Sequence, residues 1–155
     1  MNQGKGQALK TAFTYIQEQN IYGTVVTADA DGQHKVWDIF RTANKASENP
    51  NKLILGVRAF SGKVPLRSRF GNSLTKALFK LQTGVGVTDT QTGLRAFTTN
   101  LIPFMLKIEG QRYEYEMNML LEATKEYEIL EVPIETVYIN DNEASHFRPI
   151  QDGLM

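Results

Sequence analysis

The sequence predicts an α/β sandwich built on a mostly parallel sheet, and three observations predict it. Short β-branched runs alternate with segments of helical periodicity along most of the chain. The 155 residues, 41% hydrophobic and 22% charged, are enough for one domain with a real core. An Asp-containing polar turn follows the first strand-like run, and α/β sheets bind ligands beyond the carboxyl ends of their strands.

The elements follow in order. Residues 5–19 read as a helix, because Ala8, Leu9, Ala12, Phe13 and Ile16 recur at helical spacing. The run from Thr24 to Ala28 is β-branched and reads as a buried strand ending in the turn Asp29-Ala30-Asp31-Gly32. Val36, Ile39, Phe40 and Ala43 mark the apolar face of a second helix. Residues 52–57 form a strand, and Pro65 opens a third helix that runs to about Leu81. Residues 85–88 and 94–98 look extended. Tyr113, Met117, Leu120, Leu121 and Thr124 place a fourth helix. Residues 129–132 and 134–139 read as strands broken at Pro133.

Composition removes several classes. Cysteine is absent, so disulfides, thiolate metal sites and cysteine nucleophiles are excluded. No stretch of the sequence reaches the ~20 apolar residues that span a bilayer. The first ten residues lack the apolar core of a secretory signal, so a cytoplasmic location is the default. Net charge is zero but uneven. Between Glu48 and Asp89 there is no acid, while Lys52, Arg58, Lys63, Arg67, Arg69, Lys76 and Lys80 are all basic. A cationic middle suits an anionic ligand; a solvated basic face is the plainer alternative. The aromatics among these bases, Phe60, Phe70 and Phe79, are sparse, and the pI is 6.7, so a nucleic-acid partner is not expected.

Asp29 and Asp31 lead the chemical candidates. Two carboxylates at i and i+2 leaving a strand, with the Gln33 amide nearby, suit a hard cation such as Mg2+ or Mn2+. The same residues also make an ordinary turn. Gly4-Lys5-Gly6 opens the first helix and could approach an anion, or could simply be a pliant helix start. Leu66, Phe70, Leu74, Leu78 and Leu81 share one helical face near Arg67 and Arg69; this suits an anionic membrane surface or a lipid phosphate, or equally a helix packed on the core. Glu114 and Glu116 suit the start of a helix by charge. His146 and Arg148 lie in a cationic loop after the last strand and could hold a diphosphate. No His or Cys cluster surrounds His34, so zinc is not expected.

Eight segments in order together resemble family 2 glycosyltransferases of the GT-A fold. They are residues 2–9, 27–33, 56–58, 67–72, 89–95, 113–117, 131–134 and 145–149, among them Thr27-Ala28-Asp29-Ala30-Asp31-Gly32-Gln33 and Asp89-Thr90-Gln91-Thr92-Gly93-Leu94-Arg95. The branch most resembled is that of dolichol-phosphate mannose synthases and polyprenyl-phosphate glucosyltransferases. The resemblance implies one partial catalytic domain over 1–155, a three-layer, Rossmann-like sandwich lacking its first strands, because nothing here matches the family's opening Pro-x-Tyr-Asn-Glu-like strand. Little or no catalysis is therefore expected from these residues alone, and the strand at 24–28 is expected to have an open edge.

The resemblance also assigns roles. Asp29, Asp31 and Gln33 would bind the metal and donor diphosphate; Arg148, with His146, would close over that diphosphate. Arg58 and Arg69, with Arg67, would grip the phosphate of a polyprenyl acceptor. The implied reaction is inverting transfer of a hexose from a nucleotide-diphosphate sugar to that lipid phosphate, by a protein peripheral to the inner face of the membrane. A phosphate acceptor is already ionised near neutrality and needs no base. A sugar hydroxyl, the acceptor in a polysaccharide-building alternative, would need one, and Asp89 is the candidate. On that reasoning Asp89→Asn is mild for a phosphate acceptor and severe for a hydroxyl, while Arg69→Ala damages the phosphate reaction most. A non-enzymatic anion- or membrane-binding module is the alternative of another class.

Overall fold

Four strands and five helices account for most of the chain in the computed structural model, which describes residues 2–58 and 66–135 and the side chains of all these except 66–70 and 72. The order is α1 (Lys5–Glu18), β1 (Thr24–Thr27), α2 (Val36–Glu48), β2 (Lys52–Arg58), α3 (Leu66–Thr83), β3 (Arg95–Thr98), a 3-10 turn (Thr99–Leu101), α4 (Ile102–Lys107), α5 (Glu114–Glu126) and β4 (Glu128–Ile134).

The sheet order is β1-β3-β2-β4. β3 lies antiparallel to both β1 and β2, while β2 and β4 are parallel. Three strands therefore share one direction and β3 alone opposes them. The expected common direction holds for β1, β2 and β4, but two of the three described pairings are antiparallel because β3 is inserted between β1 and β2. Among the described residues β1 pairs only with β3 and stands at the sheet edge, as the sequence suggested.

Both faces of the sheet are covered, so β2 reads as an unbroken buried run from Leu53 to Val57. Leu53, Leu55 and Val57 point to one side, where Phe13 of α1, Met105 of α4 and Tyr115 and Met119 of α5 complete the larger core. Ile54 points to the other side, toward Ala96, Val132 and Ala46 of α2. This alternation is the period-2 consequence of the pleat, and it produces three layers.

Several expectations change. β4 runs straight through Pro133, which pairs in register with Val57, while residues 136–139 of the expected last strand lie outside the described residues. Among the described residues β4 has only β2 as a neighbour, so the missing proline N–H need not interrupt a ladder. Residues 85–88 form no strand; the Thr88 amide instead donates to Glu131 Oε1 at 2.6 Å. α4 was not anticipated, although Ile102 and Met105 are spaced i, i+3 behind Pro103 in its first turn.

The faces of two helices also differ. In α2 the buried residues are Asp38, Thr42 and Ala46, while Val36 and Phe40 are 83% and 53% exposed. Asp38 turns inward because its carboxylate accepts from the Glu135 amide at 3.1 Å and from Arg41 Nη2 at 2.7 Å, tying α2 to the end of β4. In α3 only Phe79 of the described side chains reaches the core, and Leu74, Leu78 and Leu81 face outward.

Candidate functional site

β1 delivers the chain to Asp29 at its carboxyl end, as the sequence reading required. The Thr27 hydroxyl donates to the Gly93 carbonyl at 3.3 Å, which keeps the 89–93 loop beside the strand end. The Asp29 carboxylate then lies directly on Gly93: a Cβ there would stand 2.1 Å from Asp29 Oδ2 and 2.5 Å from Cγ. Only glycine leaves room for the acid.

Lys5 reaches the same point from α1. Its Nζ lies 2.5 Å from Asp29 Oδ1 and 2.9 Å from Glu116 Oε2, in the first turn of α5. The glycines on either side explain this placement. A Cβ on Gly4 would meet the Gln111 carbonyl at 2.5 Å, and one on Gly6 would meet Tyr115 Cβ at 2.6 Å. The Gln7 amide donates to that Gln111 carbonyl at 2.8 Å. The start of α1 is thus seated against the start of α5, with Lys5 facing the end of β1.

His34 completes the cluster, its Nε2 3.7 Å from Asp29 Oδ2 and its side chain 7% exposed. His34 and Lys5 together hold the Asp29 carboxyl well below the usual carboxylate range, against burial, which works the other way. At 3.7 Å the influence of His34 is electrostatic rather than a direct hydrogen bond, and Lys5 makes the contact. Burial opposes the charge on Lys5, but Glu116 and Asp29 outweigh it and raise its pKa above that of an ordinary lysine. Two buried atoms of the cluster, Glu116 Oε1 and His34 Nδ1, have no hydrogen-bond partner among the described residues. Buried polar atoms are seldom left so, and both suit a polar ligand.

The neighbouring strand end is different. Arg58 at the end of β2 meets Asp89 through a two-pronged pair, Nε to Oδ2 at 2.6 Å and Nη2 to Oδ1 at 3.0 Å. Asp89 is fully buried and also accepts from the Gln91 amide at 3.2 Å. Arg95, buried in turn, donates to the carbonyls of Thr92 at 3.0 Å and Glu116 at 2.5 Å. Arg95 fastens the 89–93 loop to α5.

The sequence-predicted residues therefore separate. Asp29 lies at the centre of a polar cluster. Asp31 occupies the turn that follows, where its Oδ1 accepts from the Gln33 backbone amide at 3.0 Å. Arg58 and Asp89, read as serving different partners, serve each other. His146 and Arg148 lie outside the described residues, as do the side chains of Arg67 and Arg69. Among the described residues no three or more His, Cys, Asp and Glu converge closely enough to hold a metal unaided. The donor chemistry still fits an ion completed by substrate, since Mg2+ is commonly held by one or two carboxylates plus phosphate oxygens. Sequence reasoning missed the convergence of Lys5, His34, Gly93 and Glu116. The signal for one of them, Lys5, was Gly4-Lys5-Gly6, in which two glycines bracket a charge.

No protein-family model matches the chain. It is 33% identical over 143 residues to the UDP-N-acetylglucosamine–dolichyl-phosphate N-acetylglucosaminyltransferase of Methanococcus voltae, an alignment covering 88% of this chain and 57% of that protein. It is 30% identical over 146 residues to an uncharacterized protein of Methanocaldococcus jannaschii, covering 89% of this chain and 59% of that one. The chain thus spans less than two thirds of either relative's length. The crystal structure of glucosyl-3-phosphoglycerate synthase from Mycobacterium tuberculosis, in complex with phosphoglyceric acid, superposes with a TM-score of 0.68 at 17% identity, covering 97% of this chain and 50% of that one. The shared fold is the GT-A arrangement.

Proposed function

We propose that this chain is part of a family 2 glycosyltransferase that moves a sugar from a nucleotide-diphosphate donor to a polyprenyl phosphate. The named relative from Methanococcus voltae, a dolichyl-phosphate transferase, supports the substrate classes. The observation that carries the reading is the Asp29 carboxylate at the strand end, held against Gly93 by Lys5 and flanked by unpartnered buried atoms of His34 and Glu116.

In this reading Asp29 and Asp31, with Gln33 beside them, hold Mg2+ or Mn2+. The ion supplies charge neutralisation for the departing nucleoside diphosphate. Glu116, with a buried oxygen to offer, accepts a hydrogen bond from the donor. Until an ion binds, Lys5 fixes where Asp29 points. Arg95 and the 89–93 loop form a floor that does not reorganise during transfer, which is how preorganised sites gain their advantage. Arg148 and His146 close over the diphosphate, and Arg67 and Arg69 receive the acceptor phosphate.

Asp89 favours the phosphate acceptor over a sugar hydroxyl. A base must reach the proton it removes. Asp89 is fully buried and has both oxygens on Arg58, so it is poorly placed to act as one. The exposed stripe of Leu74, Leu78 and Leu81 on α3 supports a position at a membrane surface, where the lipid acceptor resides. No helix among the described residues is long and apolar enough to cross a membrane.

Calorimetric titration of the whole chain with uridine or guanosine diphosphate tests the reading. Binding should require Mn2+, and Asp29→Asn should weaken it by about tenfold or more. Nucleotide binding that is indifferent both to Mn2+ and to Asp29→Asn would sink it.

A further inference from the structure

One ammonium serves two carboxylates at the centre of this site. Lys5 Nζ touches Asp29 Oδ1 and Glu116 Oε2, which come from the ends of different elements, and the side chains are 28%, 34% and 13% exposed respectively. The backbone on either side of Lys5 is closely seated, because Gly4 and Gly6 sit against Gln111 and Tyr115 with no room for a Cβ. One ammonium faces two carboxylates at contact distance, with His34 Nε2 3.7 Å from Asp29 beside them. The atom that a divalent ion would seek on Asp29 is in part already taken.

We propose that Lys5 is the resident cation of this site. It bridges Asp29 and Glu116 while no divalent ion is bound, and it leaves Asp29 when one arrives, so it sets how readily the site loads. The inference deepens the transferase reading and rests on it for Asp29 as an ion ligand. An ammonium and a metal ion compete for the same carboxylate, and their mutual repulsion at contact distance is large in a half-buried setting. The bridge also keeps Glu116 and Asp29 from repelling each other, so Lys5 positions the ligand that it obstructs.

The test compares wild type, Lys5→Met and Lys5→Arg by Mn2+ binding, read from the electron paramagnetic resonance signal of free Mn2+, and by melting temperature with and without Mn2+. Lys5→Met should bind Mn2+ about tenfold more tightly. It should melt lower than wild type without the ion and recover when the ion is added. Lys5→Arg keeps the charge and should follow wild type in both measurements. Equal or weaker Mn2+ binding by Lys5→Met, with a melting loss that Mn2+ does not restore, would overturn the proposal. Should Lys5→Met fail to fold, Glu116→Gln serves instead. It leaves Lys5 to Asp29 alone and should weaken Mn2+ binding; unchanged affinity would overturn the bridge.

The two readings fail separately. A gain of Mn2+ affinity in Lys5→Met, in a protein that binds no nucleoside diphosphate, supports the bridge and removes the transferase. Mn2+-dependent nucleotide binding in wild type, with no gain in Lys5→Met, removes the bridge alone.

Discussion

Two ion clusters sit at the carboxyl ends of parallel-running strands, and they are built to opposite rules. At the end of β2, Arg58 and Asp89 satisfy one another with two parallel contacts, and the acid is completely buried. At the end of β1, one lysine is divided between Asp29 and Glu116, and buried atoms of Glu116 and His34 go without partners. Two matched contacts onto a fully buried acid mark the first as support for the fold. Unspent valence marks the second as a place for something else. Charge alone would not separate them, since both join acids to bases at strand ends; the pairing does, two contacts onto one buried acid in the first and one ammonium shared by two acids in the second.

The comparison can be broken hardest at Asp89. Asp89→Ala removes the fully buried acid that takes two contacts from Arg58 and one from the Gln91 amide, so unfolding in urea should show a loss of about 3 kcal/mol. The loss should appear whatever ligand is present. A change under about 1 kcal/mol would return Asp89 to the active chemistry. The earlier expectation for Asp89→Asn changes accordingly: a fall in turnover there would report lost packing, and so cannot discriminate between acceptors.

Gly93→Ala comes next. A new methyl collides with the Asp29 carboxylate, and the carboxylate must swing away. The expected loss is about 1–3 kcal/mol. It should be accompanied by loss of the Mn2+-dependent nucleotide response, which Asp89→Ala in its folded fraction should retain. Parallel thermal melts and calorimetric titrations of both variants check this.

The smallest effect is in acid. The folded-state pKa of Asp29 is depressed, so the stabilisation it provides is fully present above its unfolded value, about 3.9. It is lost as pH falls from there through the folded value. Asp29→Asn should therefore flatten the dependence of stability on pH below about 4 and leave it unchanged at neutrality. Denaturation curves for the two proteins between about pH 2 and 7 decide the point, and identical slopes would remove the depressed carboxyl.

Much of the fold was legible because local patterns and tertiary packing agree. Thr24–Thr27, Lys52–Arg58 and Arg95–Thr98 are strands where β-branched or apolar runs predicted them. Lys5–Glu18 and Glu114–Glu126 follow their helical periodicity to within a residue or two at each end. α2 was legible in extent but not in orientation. Its sequence offers an apolar face with Val36 and Phe40, and the fold instead buries Asp38 because a backbone amide of a distant segment needs that acceptor. β4 shows the same limit: whether Pro133 breaks a strand depends on which edge is paired, and pairing is not a local property.

The sequence by itself determined the alternation of elements, the α/β class and the location of Asp29 at a strand end, because each follows from periodicity or from turn chemistry between near neighbours. Tertiary structure decided the partners. Lys5 meets Asp29 across 24 positions, and Arg58 meets Asp89 across 31. Which cation neutralises which carboxylate is set by the order of strands in the sheet and by glycines that let helices approach. A one-dimensional pattern carries charge and spacing, but not the distances over which those charges act.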